Sequence, residues 1–281
     1  MPTVKEILAE GRQRLAHAGV AAPALDARLL LQHAANLTAA DLIANQDTAV
    51  DAHAAAAFRL LLERRVLREP VSKIIGRKEF YGREFIVSRD VLDPRPDSEC
   101  LIELCLDVID AREATQVLDL GTGSGILLLT LLAERRGLRG LGVDVSEEAL
   151  AVARCNAEAL ALSGRCEFAQ GSWFDPVAEV FDLIVSNPPY IETAALDWLQ
   201  PEVVVYDPRR ALDGGADGLE PYRVIAANAS THLMPGGHVA VEIGQGQAAG
   251  VIDIFARHGL QPVQRRADLS GITRALAFAV V

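Results

Sequence analysis

From Met1 to about Ser72, apolar residues recur at helical spacing in alanine-rich sequence, and Thr3 and Glu6 are spaced as a capping box ahead of Ile7 and Leu8. The pattern predicts a small helical bundle. Further helices fit residues 24–35 and 52–67, the second with Phe58, Leu61, Leu62 and Val66 on one face. Between Ile74 and Val87 the period changes. Glu79-Phe80-Tyr81 and Glu84-Phe85-Ile86-Val87 flank Gly82-Arg83, which predicts a β-hairpin linking two domains. After Pro94 and Pro96, helix and strand patterns alternate. Strands are expected near 116–120, 138–144, 166–170, 181–186, 238–243, 262–266 and 275–280, with helices over 99–111, 126–134, 147–162, 221–233 and 247–258. That alternation argues for an α/β fold, a seven-stranded mostly parallel sheet with helices on both faces. Periodicity does not give the strand order. The expected division is a helical domain over 1–73, a hairpin linker over 74–92 and an α/β domain over 93–281.

Composition narrows the function classes. Half of the 281 residues are apolar, enough for a large core in more than one domain. Formal charge is 27 minus 38, or −11, which disfavours adhesion to nucleic-acid phosphates as the main activity. Basic residues do concentrate from Arg59 to Arg89. A solvated helix face and hairpin explains most such runs; a docking patch is the sharper alternative. Cys100, Cys105, Cys155 and Cys166 lie in apolar or helical stretches without metal-type spacing, so they read as small hydrophobes of a reduced, cytoplasmic protein. The start of the chain has no leader-like pattern, and the longest strongly apolar run, 126–133, is too short to span a bilayer. A soluble protein without metal or membrane is the expectation.

The first chemical motif is Asp119-Leu120-Gly121-Thr122-Gly123-Ser124-Gly125, between an apolar strand and an apolar helix. Residues without Cβ let a tight turn bring backbone close to a ligand at the carboxyl end of a sheet. A dinucleotide fingerprint needs its third glycine where Ile126 stands, so nicotinamide or flavin is disfavoured. Asp144 ends the next strand about 20 residues on, where a carboxylate accepts hydrogen bonds from both hydroxyls of a ribose. Ser146, followed by Glu147 and Glu148, is placed to cap the next helix. Trp173 is placed to pack on an adenine ring, although ordinary core packing explains it nearly as well.

The second motif, Ser186-Asn187-Pro188-Pro189-Tyr190, follows the apolar strand 181–185 and is more specific. Two prolines make a stiff segment without backbone donors, so it offers carbonyl acceptors together with the Asn187 side-chain oxygen. Two acceptors suit an NH₂ group with two hydrogens. They would fix the nitrogen and draw its lone pair out of conjugation while the Tyr190 ring stacks on the flat group, so the gain comes from positioning. Asn187, Pro188 and Tyr190 are therefore the candidate catalytic residues, and Pro189 joins them in substrate binding. No histidine, cysteine or paired-carboxylate base is required.

These residues resemble the release-factor glutamine methyltransferases, the PrmC or HemK family of class I S-adenosylmethionine-dependent methyltransferases, and the similarity runs along nearly the whole chain. It is carried by Pro94 to Glu99, the loop at 119–125, Val143 to Ser146, Ser172-Trp173-Phe174, Ser186 to Ile191, Ala211 to Gly215 with Asp217-Gly218-Leu219, and Glu242-Ile243-Gly244. The resemblance implies a Rossmann-like fold with S-adenosylmethionine held by Gly121, Thr122, Gly123, Ser124, Gly125, Asp144, Trp173 and Asn187. It implies that Asn187 to Tyr190 hold the glutamine of a Gly-Gly-Gln loop in a peptide-chain release factor, gripped also by the N-terminal helices. Two stretches depart from the family pattern, Asp93 before Pro94 and Ser270 to Arg274 near the end, and neither is expected to touch the chemistry. The competing readings are methylation of a ribosomal-protein glutamine, of the adenine exocyclic amine in DNA, and a non-catalytic nucleotide-binding adaptor. The acidic catalytic region and the lack of a large basic module oppose DNA. The intact Asn187 to Tyr190 segment opposes the adaptor.

Overall fold

The computed structural model describes residues 1–280, which form two compact units. The first comprises Met1–Arg77 together with Gln200–Tyr206. Its helices are α1 (Val4–His17), α2 (Pro23–Ala35), α3 (Ala39–Ala44), α4 (Ala52–Val66) and α5 (Val71–Ile75). The Thr3 hydroxyl accepts from the Glu6 amide and the Glu6 carboxylate accepts from Thr3, closing the expected capping box at α1. Ile7, Leu15, Leu30, Leu31, Phe58 and Leu62 form the buried core of this unit.

Two basic residues of this unit, Arg65 and Lys73, are buried, and several others are engaged in ion pairs. Arg65 is 6% exposed and donates to Asp26 at 2.7 Å and to Glu202 at 3.0 Å, while Arg68 holds both Glu202 oxygens at 2.7 Å. Lys73 donates to the Tyr206 carbonyl, and the Tyr206 hydroxyl donates to the Leu67 carbonyl at 2.8 Å. Segment 200–206 is thus fastened to helices that precede it by more than a hundred residues. Arg59 pairs with Glu10, and Arg64 with Glu69. The solvated-face reading of this stretch therefore fails at Arg65, whose charge is buried and paired.

The second unit, Lys78–Leu199 and Asp207 onward, takes in most of the hairpin of β1 (Arg77–Phe80) and β2 (Arg83–Ile86). Tyr81 and Gly82, both at positive φ, are the two turn residues; Arg83, expected in the turn, starts β2. A type I′ hairpin turn needs left-handed backbone at both positions to match strand twist. Phe80 and Phe85 are buried in this unit's core, so the hairpin is part of its packing. Asn156 fixes it further, accepting from the Ile86 amide at 2.6 Å and donating to the carbonyls of Ile86 and Ser124.

Next come α6 (Glu99–Arg112), β3 (Gln116–Leu120), α7 (Ile126–Glu134), β4 (Arg139–Asp144), α8 (Glu147–Ala159), β5 (Cys166–Gln170) and β6 (Phe181–Ser186). The short α9 (Pro201–Val204) belongs to the helical unit, and α10 (Glu220–Ala229), β7 (Leu233–Glu242), α11 (Ala248–Arg257), β8 (Leu260–Ala267) and β9 (Thr273–Val280) complete the chain. The helix expected over 221–233 stops at Ala229, and Leu233 opens β7. Pro235 and two glycines disfavour helix there. Seven strands form one sheet in the order β5-β4-β3-β6-β7-β9-β8, parallel except along β9. Alternate strand residues serve opposite faces. Val117, Leu183 and Val185 meet α6 and α7 through Leu101, Leu104, Leu128 and Leu131, whereas Leu118, Ile184 and Val239 meet α10 and α11 through Tyr222, Ile225, Val251 and Phe255. Cys100 and Cys105 are buried as expected, but Cys155 is exposed on the outer face of α8.

Candidate active site

The chain runs outward from β3 through β4 to β5 and then returns to place β6 on the other side of β3. Loops at the carboxyl ends of β3 and β6 therefore diverge at a switch point, where open α/β sheets bind ligands. Leu120 lies in register with Ser186, and Ser186 with Val241. That register brings the glycine loop, Asn187 and Glu242 to one edge of the sheet. The Ser186 hydroxyl ties β6 to β3 by donating to the Leu120 carbonyl at 2.7 Å.

On the β3 side, Gly121, Gly123 and Gly125 all have positive φ, from 56° to 79°, a backbone that side chains with Cβ rarely adopt. The amides of Gly121 and Thr122 donate to the Val143 carbonyl at 2.8 and 2.9 Å, stitching the loop to β4. Asp144 accepts from the Gly123 amide and from the Ser146 amide, each at 2.9 Å. Ser146 then caps α8 through the Ala149 amide. Gly121, Thr122, Gly123, Ser124, Asp144, Trp173 and Asn187 all line one cavity, with Ser98, Pro189 and Arg210 on its other walls. Gly125 is the helix-cap residue behind it, where an added Cβ would lie 2.9 Å from the Leu129 side chain. Trp173 stands at φ 51° on the cavity wall. Left-handed backbone in a bulky aromatic marks a position over-determined by its surroundings.

The sequence reading gave Asp119 no role of its own. It is fully buried, accepts from the Thr122 hydroxyl at 2.6 Å and from the Leu128 amide, and leaves Oδ1 without a partner among the described residues. Burial pushes its carboxyl up to about 7, the Thr122 and Leu128 hydrogen bonds oppose that, and the neighbouring charge of Asp144 adds to it. An acidic residue inside the apolar run Val117-Leu118-Asp119-Leu120 was the available signal.

On the β6 side, the Asn187 Nδ2 donates to the Ser98 hydroxyl at 3.3 Å. The Tyr190 carbonyl accepts from the Gln247 side chain at 2.9 Å, and the Ile191 carbonyl from the Gly214 amide at 2.8 Å. Among the described residues the Pro188 carbonyl accepts no hydrogen bond, but Pro188 is buried, and neither it nor Tyr190 is among the residues that line the cavity beside Asn187 and Pro189. Burial pushes the Tyr190 hydroxyl up to about 12, so the ring stays neutral. Arg274 pairs with Asp97 and Asp268, and its charge opposes the rise of the Tyr190 hydroxyl. Asp93 is buried, accepts from Lys78 at 3.3 Å and donates its amide to Asp207.

The residues present suit S-adenosylmethionine: a Cβ-free loop for close backbone approach, an acceptor pair on Asp144, and an aromatic wall. Among the described residues no group of three or more His, Cys, Asp or Glu is arranged to hold a metal ion, and no helix is long and apolar enough to cross a membrane.

Comparison with known proteins agrees with the geometry. Residues 6–76 match the PrmC N-terminal domain and residues 86–217 the methyltransferase small domain. A crystal structure of a methyltransferase from Pyrococcus furiosus shares the fold with a TM-score of 0.52 at 18% identity, covering 79% of this chain and 95% of that one. Fold and glycine loop together define a class I methyltransferase. The chain is 48% identical over 270 residues to the release factor glutamine methyltransferase of Rhodospirillum rubrum, covering 96% of this chain and 83% of that one. It is 41% identical over 280 residues to the release factor glutamine methyltransferase of Agrobacterium fabrum, covering 98% and 97%. The chain belongs to the release factor glutamine methyltransferase family.

Proposed function

We propose that this protein methylates the side-chain amide nitrogen of the glutamine in the Gly-Gly-Gln loop of peptide-chain release factors, using S-adenosylmethionine in the cytoplasm. One observation carries the reading: Asn187 and Pro189 line the same cavity as the glycine loop and Asp144, at the switch point of the sheet. When bound, S-adenosylmethionine supplies an electrophilic methyl whose carbon–sulfur bond breaks toward sulfur as the carbon–nitrogen bond forms, and the amide then loses one proton to solvent.

The chain's own residues supply position. Gly121 to Gly125, Asp144 and Trp173 hold the donor. Asn187 Oδ1 and the Pro188 carbonyl accept the two amide hydrogens, Pro189 keeps the segment extended, and Tyr190 covers the flat face. Fixing both partners in near-attack geometry removes much of the entropic barrier, so no strong base is required. The helical unit serves as a docking surface, because one glutamine side chain offers too little area for selective capture. Its Arg65 and Arg68 are held by Glu202, so docking falls to other residues of that unit.

The test is mass spectrometry of release factor, ribosomal protein and duplex DNA, each incubated with the full-length enzyme and labelled donor. Methyl on the Gly-Gly-Gln glutamine is expected. Methyl on adenine with none on that glutamine would overturn the reading.

A further inference from the structure

Asn187 acts as an acceptor only if its amide is turned the right way, and an unrestrained amide has two orientations of similar shape. The groups behind it decide which one is kept. Ser98 occupies the N-cap position of α6 yet makes no capping bond, and its hydroxyl instead accepts from Asn187 Nδ2. Beyond it stands Glu242, the last residue of β7, 1% exposed, level with Asn187 across the sheet edge and in polar contact with the Ser98 and Asn187 side chains. One of its oxygens, Oε2, has no hydrogen-bond partner among the described residues. An ionised carboxylate is acceptor-only, so it favours the NH₂ side of the neighbouring amide and repels the carbonyl side. A buried charge with an unfilled oxygen is costly.

We propose that Glu242, with Ser98 as its relay, is a positioning residue that locks the Asn187 amide with NH₂ inward and Oδ1 presented to the methyl acceptor. The idea rests on the reading of Asn187 as the acceptor of the substrate amide. Around Glu242 stand Arg274 from β9, Asp97 ahead of α6, Cys100 on α6, Tyr190 after β6 and Tyr222 on α10. Burial pushes Glu242 up to about 7, with Ser98, Arg274 and Asn187 opposing and Asp97 adding to the rise. Burial also holds Cys100, Tyr190 and Tyr222 above their ordinary values, so these three stay protonated at neutral pH. Protonated Glu242 becomes a donor and no longer reads the amide, so turnover falls as pH drops through about 7.

Full-length native, Glu242→Gln and Ser98→Ala proteins separate the possibilities. Glutamine both donates and accepts, so it tolerates either amide orientation. Glu242→Gln should lower kcat about tenfold, the loss of roughly one hydrogen bond, with KM and cofactor affinity within about twofold. It should also abolish the acid limb of the pH profile on release factor. Unchanged kcat, an unchanged limb, or a loss that tracks cofactor affinity overturns the proposal. If Glu242→Gln does not fold, Ser98→Ala decides, since it keeps the carboxylate and removes the relay: a several-fold fall in kcat supports the proposal and native kcat refutes it. A readout without substrate separates this from the choice of substrate. In isotopically labelled native enzyme, the Asn187 side-chain ¹H–¹⁵N resonances should shift with a midpoint near 7, and Glu242→Gln should remove that shift. An Asn187 amide indifferent to pH would sink the coupling even if release factor is methylated, and a native enzyme that ignores release factor while showing the shift would sink only the substrate reading.

Discussion

The two halves of the site are built by different means. The half that receives the methyl donor is made in one continuous stretch from the β3 loop to Trp173, from backbone at positive φ and the Asp144 carboxylate at the end of the adjacent strand. The half that receives the acceptor is four residues long but is held from behind by Ser98, Gly214, Gly218, Glu242 and Gln247, which come from widely separated parts of the chain. A ligand that every methyltransferase of this class shares is met by a local motif. The particular acceptor is met by a segment whose orientation is a tertiary property, so substitutions around it should impair turnover more than cofactor binding.

The largest expected effect follows from that contrast. Asn187→Ala should lower kcat by about 10²–10³-fold, as loss of a pre-positioned polar group does elsewhere, while the protein stays folded and cofactor affinity changes far less. Stopped or quenched single-turnover assays with release factor give the number directly. Turnover near the native value would mean that the two halves are not divided as described. Gly218→Ala tests the support of the same segment. At φ 70° its Cβ would lie 2.5 Å from the Tyr190 carbonyl, backbone that cannot step aside cheaply. A loss of roughly 2–4 kcal/mol in denaturant unfolding is expected, together with slower turnover. An unaffected variant would show that the acceptor segment does not lean on the 212–218 loop.

On the donor side, Asp144→Ala should weaken S-adenosylmethionine binding by about 1–3 kcal/mol, the usual cost of hydrogen bonds to a charged group. The upper end is expected, because Asp144 also holds the Gly123 and Ser146 amides that shape the loop. Calorimetry on the folded variant decides, and unchanged affinity would remove Asp144 from the site.

The same contrast explains what was legible in the sequence. Glycines between an apolar strand and an apolar helix, Asp144 at the next strand end, and two prolines after Asn187 are local signals, each with a physical meaning at fixed spacing. Strand extents came out within a few residues for most of the sheet, and the clear miss was the helix run on to 233, because apolar periodicity does not distinguish Leu233 at a strand start from a helix end. Partners at long separation were not legible. Nothing local marks Ser98 as a partner of Asn187, Arg65 reads as one more basic residue of a helix, and Glu202 lies 137 positions away from it. Only coordinates show that Arg65 and Arg68 close on Glu202, or that Asn156 joins the hairpin to the glycine loop.

Each half also carries one buried carboxyl, and this gives the smallest effect and the last test of the comparison. Asp119 stands behind the donor loop and Glu242 behind the acceptor segment, and burial raises both from their ordinary values of 3.8 and 4.5 to about 7. A carboxyl raised on folding binds more protons in the folded state than in the unfolded one between those two values. Stability therefore falls as pH rises through that window and returns as pH is lowered again toward 5. The lowered carboxyls at the surface, such as Asp217 at about 2, are ionised in both states across this range, and His238, lowered by burial, opposes the trend without reversing two carboxyls. The ligand-free protein should accordingly melt at least about 2 °C higher at pH 5.5 than at pH 8, opposite in sign to acid-labile proteins held by ion pairs. Asp119→Asn removes one titration and Glu242→Gln the other, so each should flatten part of the slope. If only Asp119→Asn flattens it, Glu242 is ionised throughout and the acceptor half is as pH-insensitive as the rest of the sheet edge.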